Sequence, residues 1–129
     1  MTLARYAAVQ DAAATPRDIE LRAFRYVNGL LATAHDIGAR ATALHKTCQL
    51  WSLLLADLAL PSNTLPDELK AKLISLGLWA QREASARLLD GGSLVALIEL
   101  HRDMIAGLEG QHAQRAKPAM PAGALAGVA

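Results

Sequence analysis

Residues 50–80 read LWSLLLADLALPSNTLPDELKAKLISLGLWA, from Trp51 to Trp79 through two prolines and a run of leucines. The stretch reads as two helices joined by a turn. Leu44, Cys48, Trp51, Leu55 and Leu58 recur at four-three spacing, a helical stripe that places one helix over about 39–60. Leu50, Leu53, Leu54 and Leu60 fall outside the centre of that stripe, and at about 100° per residue Leu53 lies opposite Leu44. A helix that is apolar nearly all round is a central one. Pro61 cannot continue it, and Pro66 suits the first turn of the next helix, where Asp67 and Glu68 meet the positive end of the helix dipole. That next helix, over about 66–89, carries Leu69, Leu73, Leu76 and Ala80 as its main stripe. Ile74, Leu78 and Leu89 form a second stripe roughly 140–180° away, and Trp79 lies between the two on the side of Lys72.

Three more helices are expected around this pair. A short alanine-rich one over about 3–13 has only Leu3, Tyr6 and Val9 to anchor it. A second opens at TPRDIE, with Thr15 as N-cap, Pro16 in the first turn, and Asp18 and Glu20 favouring the positive end. It carries Glu20, Phe24, Val27 and Leu31 at helical spacing and ends near Gly38. The last follows DGGS, with Ser93 as N-cap, and spans about 94–109. From Gln111 the composition shifts to Ala, Pro and Gly without apolar periodicity, which predicts a disordered tail over 111–129 behind a helical domain over 1–110. The fold class expected is all-α: a small single-domain bundle of about five helices.

Composition narrows the function. The chain has 129 residues, 53% of them hydrophobic and only 4% aromatic, with a net charge of +1. No segment concentrates the basic side chains. Arg17, Arg22 and Arg25 come closest to a basic patch, and nucleic-acid binding needs a larger cluster to displace counterions. The single cysteine, Cys48, excludes an internal disulfide and suits a reducing compartment. The first residues have no apolar core of the signal-peptide type, and the longest leucine-rich run is too short to span a bilayer, so a cytoplasmic protein is expected.

The chemistry of an enzyme is hard to find. There is no glycine-rich phosphate loop, no H-E-x-x-H and no C-x-x-C. His45 and Cys48 lie one helical turn apart, but zinc needs three or four ligands, and both are read as structural. His101 falls in the middle of the apolar arc of the 94–109 helix. A buried imidazole needs hydrogen-bond partners, so His101 is expected to tether its helix to a nearby loop carbonyl or amide. No catalytic, metal or cofactor residue is expected.

Several pieces, in order, carry a resemblance: Tyr6; Pro16, Arg17, Glu20 and Phe24 in TPRDIELRAF; Leu50–Trp51 followed by Asp57; NTLP at 63–66; LISLGLW at 73–79; and LIELHRDMIAGL at 97–108. Together they resemble the FlaF family of alphaproteobacterial flagellar-biosynthesis proteins over roughly residues 3–110. One departure is His101, where the family pattern leads one to expect Asn. The resemblance implies a non-enzymatic, cofactor-free protein needed for flagellin production and export, regarded as a flagellin-binding secretion chaperone, and acting alongside FlbT, which is linked to control of flagellin messenger RNA.

Two functions follow. As a chaperone, the protein would cover the apolar stripes of unassembled flagellin with a helix-in-groove surface. Leu53, Leu60, Ile74 and Leu78 are the candidate residues, with Trp79 as anchor. Trp51, Pro66 and His101 are read as structural. As a regulator acting on flagellin messenger RNA, directly or through FlbT, it would need a basic face with aromatics free to stack, which the sequence does not favour.

Overall fold

The structure, a computed structural model, describes residues 16–116, with side chains as far as Gln111. The helix expected over 3–13, and residues 117–129 of the expected tail, lie outside the described residues. Four helices follow one another: α1 Pro16–Ala32, α2 Ile37–Ala59, α3 Asp67–Asp90 and α4 Val95–Ala116. The class is all-α, with no strand among the described residues.

Three boundaries differ from the sequence reading. The first described helix stops at Ala32 rather than near Gly38, because Asp36 starts a new one. Its backbone is extended, and its side chain accepts a 2.7 Å hydrogen bond from the Ala39 N–H, satisfying a donor that the first turn leaves free. This cap starts α2 at Ile37 rather than about 39. At the other end of the chain α4 runs to Ala116 instead of about 109. After Ser93 the first proline is Pro118, and isolated glycines such as Gly107 and Gly110 cost a helix only about 1 kcal/mol each.

The turns use the residues expected of them. Gly91 closes α3 with a φ of 65°, a left-handed conformation that glycine adopts without strain, and its N–H reaches the Arg87 carbonyl at 3.1 Å. The Ser93 hydroxyl accepts from the Val95 N–H at 3.2 Å. Pro66 occupies the position just before α3, with Asp67 and Glu68 in the first turn. Asn63 organises the α2–α3 turn. Its amide donates to Asp57 at 3.2 Å, its side-chain oxygen accepts from the Leu65 N–H at 3.1 Å, and its carbonyl takes the Lys70 ammonium at 2.6 Å.

The large side chains of the core come from α1, α2 and α4, and α3 adds Ala80 and Ala84. Leu21, Phe24, Val27 and Leu31 of α1 pack with Leu44, Trp51, Leu54 and Leu58 of α2, and with Leu97 and Leu108 of α4 and Leu94 just before it. Glu20, read as part of the α1 stripe, is only half-buried and pairs with Arg17 at 3.4 Å, while Leu21 takes the core position. Burial raises the Glu20 carboxyl above its ordinary value, and the adjacent Arg17 charge opposes that shift.

At the centre lie Phe24, Trp51 and His101, all fully buried. The Trp51 Nε1–H donates to His101 Nε2 at 2.9 Å. Phe24 meets both rings edge-on, with centroids 5.5 and 5.4 Å away. His101 is therefore tied to an indole on a neighbouring helix, and the expectation of a loop carbonyl or amide is corrected. The reason is that Trp51 has one N–H to satisfy in a largely apolar core, where the one other buried hydroxyl among the described residues, Thr47, already donates to the Ala43 carbonyl, and the imidazole supplies the acceptor.

Helix α3 joins this core on one side only. It packs along α2 and scarcely touches α4.

Candidate partner-binding surface

The way α3 seats on α2 determines what surface is left over. Its buried residues are Gly77, Ala80 and Ala84, with Leu73 half-buried beside them. These side chains are small, so the two backbones come close. A Cβ on Gly77 would stand 2.9 Å from Leu55 Cδ2 and 3.0 Å from Trp51 Cε3. Gln81 fastens the same face, donating to the Ser52 hydroxyl at 2.7 Å and to the Cys48 carbonyl at 3.4 Å.

This corrects the expected main stripe. Leu73 and Ala80 face α2, but Leu69 and Leu76 do not and are exposed. With a glycine at the point of closest approach, the contact line runs through 73, 77, 80 and 84. The large residues on either side are then carried outward. At about 100° per residue, Leu69 and Leu76 fall on one flank of that line, and Ile74 and Leu78 on the other. Trp79 lies on the outer side between the flanks, nearer the first.

The five candidate residues are all exposed: Leu53 71%, Leu60 50%, Ile74 36%, Leu78 48% and Trp79 36%. Leu53 and Leu60 lie on the side of α2 opposite Trp51, and Ile74 and Leu78 on the flank of α3 that also carries Gln81. Leu69 and Leu76, expected on the inner stripe, and Leu88 are further exposed apolar residues of α3. Gly77, Ala80 and Ala84 at four-three-four spacing (from Leu73) are the signal that finds them, since a line of small residues marks where another helix lies closest.

The residues read as structural lie apart from this surface. Trp51 and His101 are in the core, and Pro66 begins α3. Burial holds the His101 imidazole down at about 4, so it stays neutral near pH 7. Its Nε2 accepts from Trp51, which places the proton on Nδ1, a buried atom without a hydrogen-bond partner. Cys48 is half-buried and its thiol is pushed up by burial, the behaviour of a packed rather than a reactive cysteine.

On the basic side of α1, Arg25 reaches Glu109 at 2.9 Å and Arg17 pairs with Glu20. Among the described residues no group of three or more His, Cys, Asp or Glu could hold a metal ion. No helix among them is long and apolar enough to cross a membrane.

Comparison with known proteins adds one finding. The family model described as Flagellar protein FlaF matches residues 2–108 of the chain. No curated protein matches, and neither does any solved structure.

Proposed function

The chain belongs to the FlaF family of flagellar proteins, and from that premise we propose that it is a flagellin-binding export chaperone that uses the outer faces of α2 and α3. One observation carries this reading. A helix of 24 residues buries only Gly77, Ala80 and Ala84, while Leu69, Ile74, Leu76, Leu78, Trp79 and others stay exposed. Exposed apolar side chains gathered on one helix support an interaction surface there. An amphipathic helix of flagellin laid against Ile74 and Leu78, with Leu53 and Leu60 along the α2 side, would cover it by the helix-in-groove mode. Trp79 would anchor the contact from the ridge of α3. The protein acts in the cytoplasm in this reading, before export, and performs no catalytic step.

The alternative is a regulator that meets flagellin messenger RNA itself or through FlbT. Direct RNA contact would draw on the arginines of α1, and the pairing of Arg17 and Arg25 with carboxylates speaks against it.

Titration of the purified protein with flagellin, and separately with the flagellin messenger RNA leader, separates the two. Binding of the RNA in a salt-sensitive way, with no binding of flagellin, would sink the chaperone reading. Substitution sharpens it. Trp79→Ala is expected to weaken flagellin binding roughly thirtyfold or more, as loss of an anchor does. It should destabilise the fold far less than Trp51→Ala, a core truncation that costs about 3–5 kcal/mol. If Trp79→Ala unfolds the protein as Trp51→Ala does, Trp79 belongs to the core and the surface is misplaced.

A further inference from the structure

We propose that the seam between α2 and α3 seats one amphipathic helix of flagellin at two apolar points, Ile74 with Leu78 and, three turns away, Leu89 with Ile37. The proposal rests on the reading of this face as the flagellin seat, and it adds the length, spacing and charge of the helix that fits. Four contacts fix how the seam runs. Leu55 meets Gly77, Ser52 meets Gln81, Cys48 meets Ser85, and Arg40 donates to the Gly92 carbonyl at 2.7 Å. Each step back along α2 is matched by an equal step forward along α3, so the two helices lie side by side and antiparallel. Leu78 and Leu89 are eleven residues apart, which brings them within about 20° of each other and about 16.5 Å apart along α3. Leu89 and Ile37 are 91% and 88% exposed, more than any other large apolar residue described. Ile37 lies five turns from Leu55, on the line of α2 that faces α3. It stays uncovered because α3 ends at Asp90 and Arg40 holds the chain at Gly92.

Charge and spacing select the occupant. Between the two points the seam shows Gln49, Ser52, Gln81 and Ser85, which are polar but uncharged. Within 37–60 and 74–89 the only acidic residues are Asp57 and Glu83, and both lie off the seam. Asp57 lines the cleft on the far side of α2, with Glu20, and Glu83 falls on the Leu76 flank. The edges of the seam carry cations near its middle, Lys46 beyond Leu53 on α2 and Arg82 beyond Leu78 on α3. The helix that complements this surface has apolar residues eleven apart, uncharged residues between them, and carboxylates on both borders at its middle. Eleven residues return a side chain to within about 20° of the same face, so one straight helix reaches both points. Ile74 to Leu89 covers about 22.5 Å, so that helix needs at least about 16 residues.

The test titrates the purified full chain and its variants with flagellin. Leu78→Asp, Leu89→Asp and Ile37→Asp should each weaken binding about tenfold, and Leu78→Asp/Leu89→Asp about a hundredfold, because sites this far apart act additively. Tyr26→Ser, at an exposed position of α1 away from the seam, should change nothing. The replaced side chains are all exposed, so the fold should survive, and urea unfolding checks that it does. Loss of binding in Leu78→Asp but not in Leu89→Asp overturns the second point and leaves the flagellin reading standing; loss in neither overturns both. The spacing is read from two labelled alanine-rich peptides of about 22 residues, with paired leucines either eleven apart on one face or nine apart on opposite faces. The first should bind at least about tenfold more tightly, in a Leu89-dependent way. Equal affinity overturns the proposal. So does a chain that is a dimer without flagellin and a monomer as Leu89→Asp, since the occupant is then a second copy.

Discussion

His101 gives the fold a pH dependence that can be calculated before it is measured. In the folded protein its imidazole titrates at about 4, because burial disfavours the charged form. Its ordinary value, which the unfolded chain recovers, is 6.5. Between those values the unfolded chain binds the extra proton, so stability rises with pH there. The contribution is fully present above pH 6.5 and is lost as pH falls toward 4. A gap of that size corresponds to about 3 kcal/mol between pH 7 and pH 4.

The charged form also cannot accept the Trp51 N–H, which removes the 2.9 Å bond at the centre of the core. The control is His101→Gln. Its side-chain oxygen reaches about as far from the backbone as Nε2, accepts the same indole proton, and does not titrate. Urea unfolding followed by tryptophan fluorescence at pH 7, 6, 5 and 4 gives both stability curves. Carboxylates, including Glu20 with its raised value and opposite dependence, are common to both proteins and cancel in the difference. The wild type should lose about 3 kcal/mol more than His101→Gln over this range. If the two curves fall in parallel, the imidazole is not held neutral by burial and the account of the core is wrong.

Three further substitutions test the architecture. Gly77→Ala should cost about 1–3 kcal/mol in chemical denaturation even though alanine favours a helix, because the new Cβ meets Trp51, which has no room to move; a gain in stability would refute the close α2–α3 contact. Gly91→Ala should cost about 1 kcal/mol from its φ of 65° alone, since nothing lies within 4 Å of the added carbon, and Gly91→Asn, which tolerates that conformation better, should recover part of the loss. Asp36→Ala should cost about 1 kcal/mol in the same assay, with hydrogen exchange rising first at the start of α2; unchanged protection there would mean that the 2.7 Å cap at Ala39 carries no weight.

What the sequence discloses depends on how local the cause is. The Leu44–Trp51–Leu58 stripe is legible because large side chains at helical spacing mark a buried face wherever the partner lies. Gly91 and Ser93 are legible because their chemistry acts within a few residues. His101 reads as buried from its own helix, but its partner does not, because Trp51 lies 50 positions away and only the packing of α4 on α2 joins them. Asp36 has the chemistry of a cap, but Gly38, two positions on, is the stronger local signal for a helix end and masks it.

Helix α3 shows the harder case. Reading by size selects Leu69, Leu73, Leu76 and Ala80 as the inner stripe, yet the closest helix contact is made where side chains are smallest. Gly77, Ala80 and Ala84 bring α3 down onto Trp51 and Leu55, and that same approach turns Leu69 and Leu76 out on one flank and Ile74 and Leu78 on the other. The exposed apolar surface is thus a consequence of how the core closes. A larger residue at position 77 should lift α3 and shift both flanks together. Flagellin affinity and stability to urea should therefore both fall in Gly77→Leu, whereas Leu78→Asp should lower flagellin affinity and leave stability nearly unchanged. If Leu78→Asp unfolds the protein as Gly77→Leu does, Leu78 belongs to the core and the outward placement of its flank is refuted.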